Sequence, residues 1–251
     1  MAKVREVVVE TPRARSLVLE VSDWPGHLPG QHVDVRLTAE DGYQAQRSYS
    51  IASPPERAEL VLTVERIDDG EVSPYLVDEA RPGDTLELRG PIGGYFTWTA
   101  ATGGPLQLIA GGSGIVPLMS MLRHRARSGP KPPARLLYSS RTWDLIVYRD
   151  ELEQLARDDA DLVVVRTLTR EVRPSWRERS GRVDAAMLRE LAFAPATQPH
   201  VYVCGPTPFV EAVADHLVAL GHAAERIKTE RFGPTGILNG NQEDATRASP
   251  G

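Results

Sequence analysis

The feature of this sequence that most constrains its fold is a change of hydrophobic period near residue 105. Before it, apolar residues come in short runs rich in branched side chains, at 4–9, 16–21, 32–37, 47–51, 60–66 and 85–89. Turn dipeptides separate the runs, among them Pro29-Gly30, Asp41-Gly42, Asp69-Gly70 and Pro82-Gly83. Six short strands with such turns between them predict an antiparallel barrel. One helix interrupts them, with Ser73 as the expected N-cap and Pro74 as the first helical residue.

Beyond residue 105 strand and helix patterns alternate. The runs 106–110, 135–138, 162–167 and 200–204 read as buried strands. Between them Ile115, Leu118, Met119 and Leu122 recur at helical spacing. Leu145, Leu152 and Leu155 continue that theme, as do Phe209, Val210, Val213 and Leu217. Such alternation predicts an α/β domain, a parallel sheet with helices on both faces. The expected organisation is a barrel domain over 1–102, an α/β domain over 103–236 and a tail over 237–251, with the linker within 100–105. No internal repeat is evident.

Composition excludes several classes. The single cysteine, Cys204, excludes an internal disulfide and any four-cysteine zinc or iron–sulfur site, and no metal is expected. It fits a reducing compartment, and a cytoplasmic location is expected. The net charge of −5 carries no nucleic-acid footprint. The charge is uneven: residues 1–104 hold 10 basic and 17 acidic side chains, residues 105–251 hold 19 and 17. The most apolar stretch, 105–122, is broken by prolines and a Gly-Gly-Ser-Gly insert, so no membrane insertion is expected. Glu6 and Glu10 interrupt the N-terminus where a signal peptide needs an apolar core.

Four constellations carry chemistry. In Arg47-Ser48-Tyr49-Ser50, at the end of a barrel strand, Arg47 and Tyr49 share a face and pair a guanidinium with a flat ring. Gly70-Glu71-Val72-Ser73 joins a glycine turn to a helix start, a geometry that suits a phosphate. Gly111-Gly112-Ser113-Gly114 follows a buried strand and opens a helix, where backbone amides face a pyrophosphate. Cys204-Gly205-Pro206 ends a later parallel strand, at the edge where such sheets bind ligands. Each has an ordinary structural reading when taken alone: an exposed strand, a capped helix, a glycine turn, an inert buried cysteine.

Together, in this order, the four motifs resemble the ferredoxin–NADP reductase family over roughly residues 3–233. The resemblance implies a six-stranded FAD-binding barrel followed by a Rossmann-like NAD(P)-binding domain. It places Arg47 on the FAD pyrophosphate, Tyr49 on the isoalloxazine and the Ser50 hydroxyl at flavin N5. By the same resemblance Thr63, Val64 and Glu65 line the flavin, and Gly70, Glu71, Val72 and Ser73 hold its pyrophosphate. Gly111, Gly112, Ser113 and Gly114 cradle the nicotinamide nucleotide. Cys204 and Gly205, with Pro206 beside them, lie at the nicotinamide. Glu230 resembles the family's terminal acid, which helps proton and electron transfer, and Phe232 the aromatic that covers the flavin. The chain runs on past Phe232 to Gly251, a departure from the family's C-terminal aromatic with a free end.

For the hydride donor, Ser140-Arg141 and Arg170 follow parallel strands and resemble the 2′-phosphate site of NADP-using members, favouring NADPH over NADH. The implied activity is that of an FAD-dependent NAD(P)H oxidoreductase. It would pass single electrons to a separate ferredoxin, flavodoxin, Rieske protein or oxygenase component. Free-flavin reduction, and an FAD electron-transfer subunit that accepts no hydride, remain the alternatives.

Overall fold

The computed structural model of the chain describes residues 1–129, 131–170 and 174–233. The expected tail from 237 onward lies outside the described residues. Six strands form the first sheet: β1 (Ala2–Thr11), β2 (Ala14–Val21), β3 (His32–Thr38), β4 (Gln44–Ser50), β5 (Leu60–Glu65) and β6 (Thr85–Ile92). They pair antiparallel in the order β4-β3-β6-β1-β2-β5. A bridge from Ile51 to Leu62 brings the two outer strands together and closes the barrel. Alternation sends Leu17, Leu19, Val33, Val35, Leu62 and Val64 into one core. Among the described residues no further pairing joins β4 to β5. Arg47–Ser50 and Thr63–Glu65 therefore flank an open seam.

Between β5 and β6 the chain makes a short π-helix, Tyr75–Glu79, in which the Ala80 N–H donates to the Tyr75 carbonyl at 2.9 Å. The helix is where the sequence predicts it, but Ser73 does not cap it. The Ser73 hydroxyl accepts instead from the Ile67 N–H at 3.1 Å. The reason is local: Gly70 donates to the Ile67 carbonyl at 3.0 Å, and this tight turn presents the Ile67 amide to the serine.

The second sheet contains β7 (Leu106–Gly111), β8 (Ala134–Ser140), β9 (Leu162–Leu168), β10 (Arg179–Ser180), β11 (His200–Pro206) and β12 (Ile227–Phe232). All pairings are parallel, in the order β10-β9-β8-β7-β11-β12. The edge strands β10 and β12 were not among the expected four. Four α-helices accompany the sheet among the described residues: α1 (Ile115–Arg127), α2 (Arg149–Asp158), α3 (Ala185–Leu191) and α4 (Thr207–Ala219). Leu145 is not on α2 with Leu152 and Leu155 but in a separate 3-10 turn, Trp143–Leu145. Tyr148 intervenes with a left-handed φ of 57°, which a continuous helix cannot accommodate.

Strand alternation divides the second sheet cleanly. Ile109, Leu137, Val201 and Val203 face α3 and α4. Leu108, Leu136, Tyr138 and Tyr202 face α1 and α2. This second core does not stop at the α/β domain, because Ala14, Val18, Ala52, Val61, Phe96 and Trp98 of the barrel side pack into it. From β7 the chain winds outward through β8, β9 and β10, then returns to β11 on the other side. The crevice at the carboxyl ends of β7 and β11 is thus a topological switch point, where open parallel sheets bind ligands.

Candidate active site

The glycine turn after β7 meets the end of β11 at that switch point, backbone against backbone. A Cβ on Gly114 would overlap the Cys204 carbonyl oxygen and lie 2.8 Å from the Gly205 nitrogen. A Cβ on Gly111 or on Gly205 would lie 2.8 Å from the Phe209 ring. These three glycines are required by packing. Gly112 differs: it has a φ of 56°, and a Cβ there would meet only a Glu65 carboxylate oxygen, at 3.9 Å. Its surroundings are open to a ligand, and its one neighbour comes from β5 of the barrel. The turn and the open seam between β4 and β5 therefore share one crevice.

Cys204 is fully buried and lies opposite Glu230 in the register of β11 and β12. Its Sγ is 4.0 Å from a Glu230 carboxylate oxygen. Burial, and then the nearby Glu230 carboxylate, push the thiol well above its usual range. It is therefore no thiolate nucleophile at neutral pH. Burial also lifts the Glu230 carboxyl to about 7. On the barrel side Glu230 faces His32, with 3.9 Å between Oε1 and Nδ1. His32 is the cross-strand partner of Ser50 on β3 and β4. Ser50, His32, Glu230 and Cys204 thus form one line across the crevice. Sequence reading missed His32, because its place opposite Ser50 depends on strand register and its approach to Glu230 on the packing of the two sheets.

Arg47 and Tyr49 lie on the inner face of β4, as their spacing predicts. Tyr49 packs against the barrel core, and burial raises its phenol. Arg47 is half-exposed and donates to Glu71 at 2.6 Å; the Tyr43 hydroxyl donates to the other oxygen of Glu71 at 2.5 Å. A carboxylate therefore sits where the resemblance puts a pyrophosphate, so the guanidinium is set to hold an anion there. Ser48 points outward and donates to Asp34 at 2.6 Å. Val72 is buried in the barrel core, and Gly70 leaves room for Ser73, whose Oγ would be 2.9 Å from a Cβ on the glycine.

Two expected residues point elsewhere. The Thr63 side chain faces the α/β domain, where Tyr148 donates to its hydroxyl, so only its backbone is left to line the seam. The Ser140 hydroxyl donates to the Thr142 carbonyl at 3.2 Å and is buried. Val64 is in the barrel core, and Phe232 packs partly buried against the core shared with the barrel. Arg141 and Arg170 are both exposed, and the Arg170 N–H donates to the Arg141 carbonyl at 3.0 Å. The two loops that carry them are thus joined. Glu171, next in the chain, lies outside the described residues. Ser113 is half-buried in the glycine turn, and Pro206 is exposed at the end of β11.

This arrangement defines a two-domain flavin and nicotinamide oxidoreductase fold. Residues 4–97 match the Oxidoreductase FAD-binding domain family, and residues 108–215 match the Oxidoreductase NAD-binding domain family. The chain is 36% identical over 230 residues to ferredoxin–NADP reductase B of Sorangium cellulosum, covering 88% of this chain and 93% of that protein. It is 33% identical over 242 residues to the ferredoxin reductase component of the Mycobacterium tuberculosis 3-ketosteroid-9-alpha-monooxygenase, covering 92% of this chain and 64% of that protein. It superposes on the flavohem-like FAD/NAD binding domain of a Vibrio cholerae nitric oxide dioxygenase with a TM-score of 0.81 at 27% identity, covering 93% of this chain and 98% of that one. The chain belongs to the ferredoxin–NADP reductase-like family of FAD- and NAD(P)-binding oxidoreductases. It spans about two thirds of the length of the mycobacterial relative. Among the described residues no helix is long and apolar enough to cross a membrane.

Proposed function

We propose that the protein takes a hydride from NADPH onto FAD and hands the electrons one at a time to a separate redox protein. The observation that carries this reading is the line Ser50–His32–Glu230–Cys204, laid across the crevice where the flavin seam meets the glycine turn. When bound, FAD supplies the conversion between a hydride and single electrons. The chain's own residues do the rest. Arg47 and the turn at Gly70–Ser73 bind the flavin pyrophosphate, with Glu71 releasing the guanidinium. Tyr49 and the backbone of Thr63–Glu65 flank the ring. The open approach at Gly112 admits the nicotinamide nucleotide, and Cys204 and Gly205 wall its far end. Glu230, titrating near neutrality, holds or releases a proton at its Oε1, which His32 faces. We place the domain boundary between 102 and 103 and the protein in the cytoplasm.

The donor choice rests on Arg141 and Arg170. Each charge-assisted contact to a 2′-phosphate contributes about 1.5–3 kcal/mol. Replacing both by alanine is expected to lower kcat/KM for NADPH by at least about 100-fold and to leave NADH within a few-fold. An equal loss with both nucleotides would remove the phosphate assignment. For the acceptor, the relatives named as reductase components of oxygenase systems support a ferredoxin, flavodoxin, Rieske protein or oxygenase component. The first experiment is anaerobic mixing of the FAD-loaded protein with NADPH and with NADH, following flavin absorbance by stopped flow. Fast bleaching supports the reading. A yellow protein that neither nucleotide bleaches would make it an electron-transfer subunit, and flavin lost on desalting would make it a free-flavin reductase.

A further inference from the structure

A chain of hydrogen bonds crosses from the barrel to the α/β domain away from the line of residues described above. Its barrel members are Glu10 on β1, Ser16 on β2 and Thr63 on β5; its other member is Tyr148, at the start of α2. The Tyr148 hydroxyl donates to Thr63 Oγ1. Thr63 and Ser16 are joined at 2.7 Å, and Ser16 donates to Glu10 Oε1 at 2.5 Å. Because the one Ser16 proton goes to the carboxylate, Thr63 is the donor between the two hydroxyls. The chain of bonds ends at the Glu10 carboxylate, on the barrel side. Every proton runs toward a single acceptor, so no hydroxyl is wasted. Tyr148, Thr63 and Ser16 are each at most 5% exposed, so the three hydroxyls are shielded from competing water.

Two further features show that Tyr148 is held rather than merely packed. Its backbone is left-handed, at a φ of 57° and ψ of 27°, which costs an aromatic residue about 1–2 kcal/mol. Its ring lies under the Arg123 guanidinium at 4.7 Å, and Arg123 itself donates to the Ala52 carbonyl of the barrel at 2.8 Å. The Tyr148 hydroxyl grips β5 at Thr63, two residues before Glu65, whose carboxylate is the nearest neighbour of Gly112. The strand that flanks the flavin seam is thus fastened to the α/β domain beside the turn that admits the nucleotide.

We infer that Tyr148 is a positioning residue: through Thr63, Ser16 and Glu10 it fixes the two domains at the separation that hydride transfer requires. The inference rests on the proposed reductase reading. Hydride transfer falls steeply when reacting atoms are misplaced by about 1 Å, whereas binding of each ligand within its own domain does not.

Tyr148→Phe deletes only the hydroxyl and keeps the ring under Arg123. The limiting rate of flavin reduction at saturating NADPH is expected to fall about tenfold. The nucleotide Kd and flavin retention should stay within twofold of wild type. The long-wavelength charge-transfer absorbance of the nucleotide complex should weaken. Hydrogen exchange of the protein without ligands should quicken at the amides of Leu62–Val64. Thr63→Val, which keeps the side chain's shape but removes the acceptor of the Tyr148 hydroxyl, should reproduce all four results and serves if Tyr148→Phe does not fold. An unchanged limiting rate would overturn the inference, and so would a rate loss matched by an equal loss of nucleotide affinity. If wild type is not reduced at all, the reductase reading fails, and the clamp is then judged on exchange alone: unchanged protection at Leu62–Val64 overturns it.

Discussion

Gly114→Ala is expected to abolish reduction of the flavin by either nucleotide and to lower Tm by about 6–12 °C. The added methyl has nowhere to go, because the Cys204 carbonyl and the Gly205 nitrogen already occupy its place. Relief requires the glycine turn and the end of β11 to separate, which closes the crevice geometry to the nucleotide. Overpacking of this kind costs about 3 kcal/mol when backbone must move on both sides. Gly112→Ala is the control for stability. It meets no atom closer than 3.9 Å and carries only the strain of its φ, about 1 kcal/mol. Calorimetry and stopped-flow reduction of the two variants separate the cases. A Gly114→Ala protein that melts like Gly112→Ala would mean that the turn is free of β11.

Glu230→Gln is expected to flatten the pH dependence of both reduction and stability. In the folded protein burial raises the Glu230 carboxyl to about 7, whereas the unfolded chain titrates it near 4.5. Between those values the folded state holds a proton that the unfolded state has lost. This residue's contribution is therefore fully present below about pH 4.5 and is lost as pH rises toward 7. A displacement of that size corresponds to a loss on the order of 3 kcal/mol across the window. The glutamine cannot ionise, so the gap in Tm between variant and wild type should widen in the variant's favour from pH 5 to pH 8. The inflection near pH 7 in the reduction rate should vanish with it. Parallel Tm curves across that range would show that Glu230 is ionised in the crevice throughout.

The barrel was legible in the sequence because its signals are local. Alternating Leu17 and Leu19 or Val33 and Val35, with a glycine or proline turn between runs, leave few other solutions. The motifs are local as well, and a backbone hydrogen bond joins the loops that carry Arg141 and Arg170 after β8 and β9. What escaped depends on contacts between distant segments. β10 has two residues, too few for any period, and β12 has apolar residues only at its ends, Ile227 and Phe232, on opposite faces. Ser73 followed the local rule for a cap, but the turn at Ile67–Gly70 claimed its hydroxyl first. His32 and Tyr148 carry no motif of their own. His32 gains its place from register with Ser50, and Tyr148 from the meeting of two domains.

The core shared by the barrel and the parallel sheet makes the molecule one thermodynamic unit. Trp98, Phe96 and Val61 are buried by α1 and its neighbours rather than by the barrel's own interior. Neither half can lose its structure without exposing the other's apolar surface to water. Heat should therefore melt the protein in a single transition, with calorimetric and van't Hoff enthalpies that agree, despite its two sheets and two binding functions. Two separate melting steps would show that the contact is too weak to couple them. Exchanging the nucleotide domain for a relative's would carry along a foreign share of the barrel's packing, and such chimeras should fold only where α1 retains the shape that Trp98 and Phe96 require.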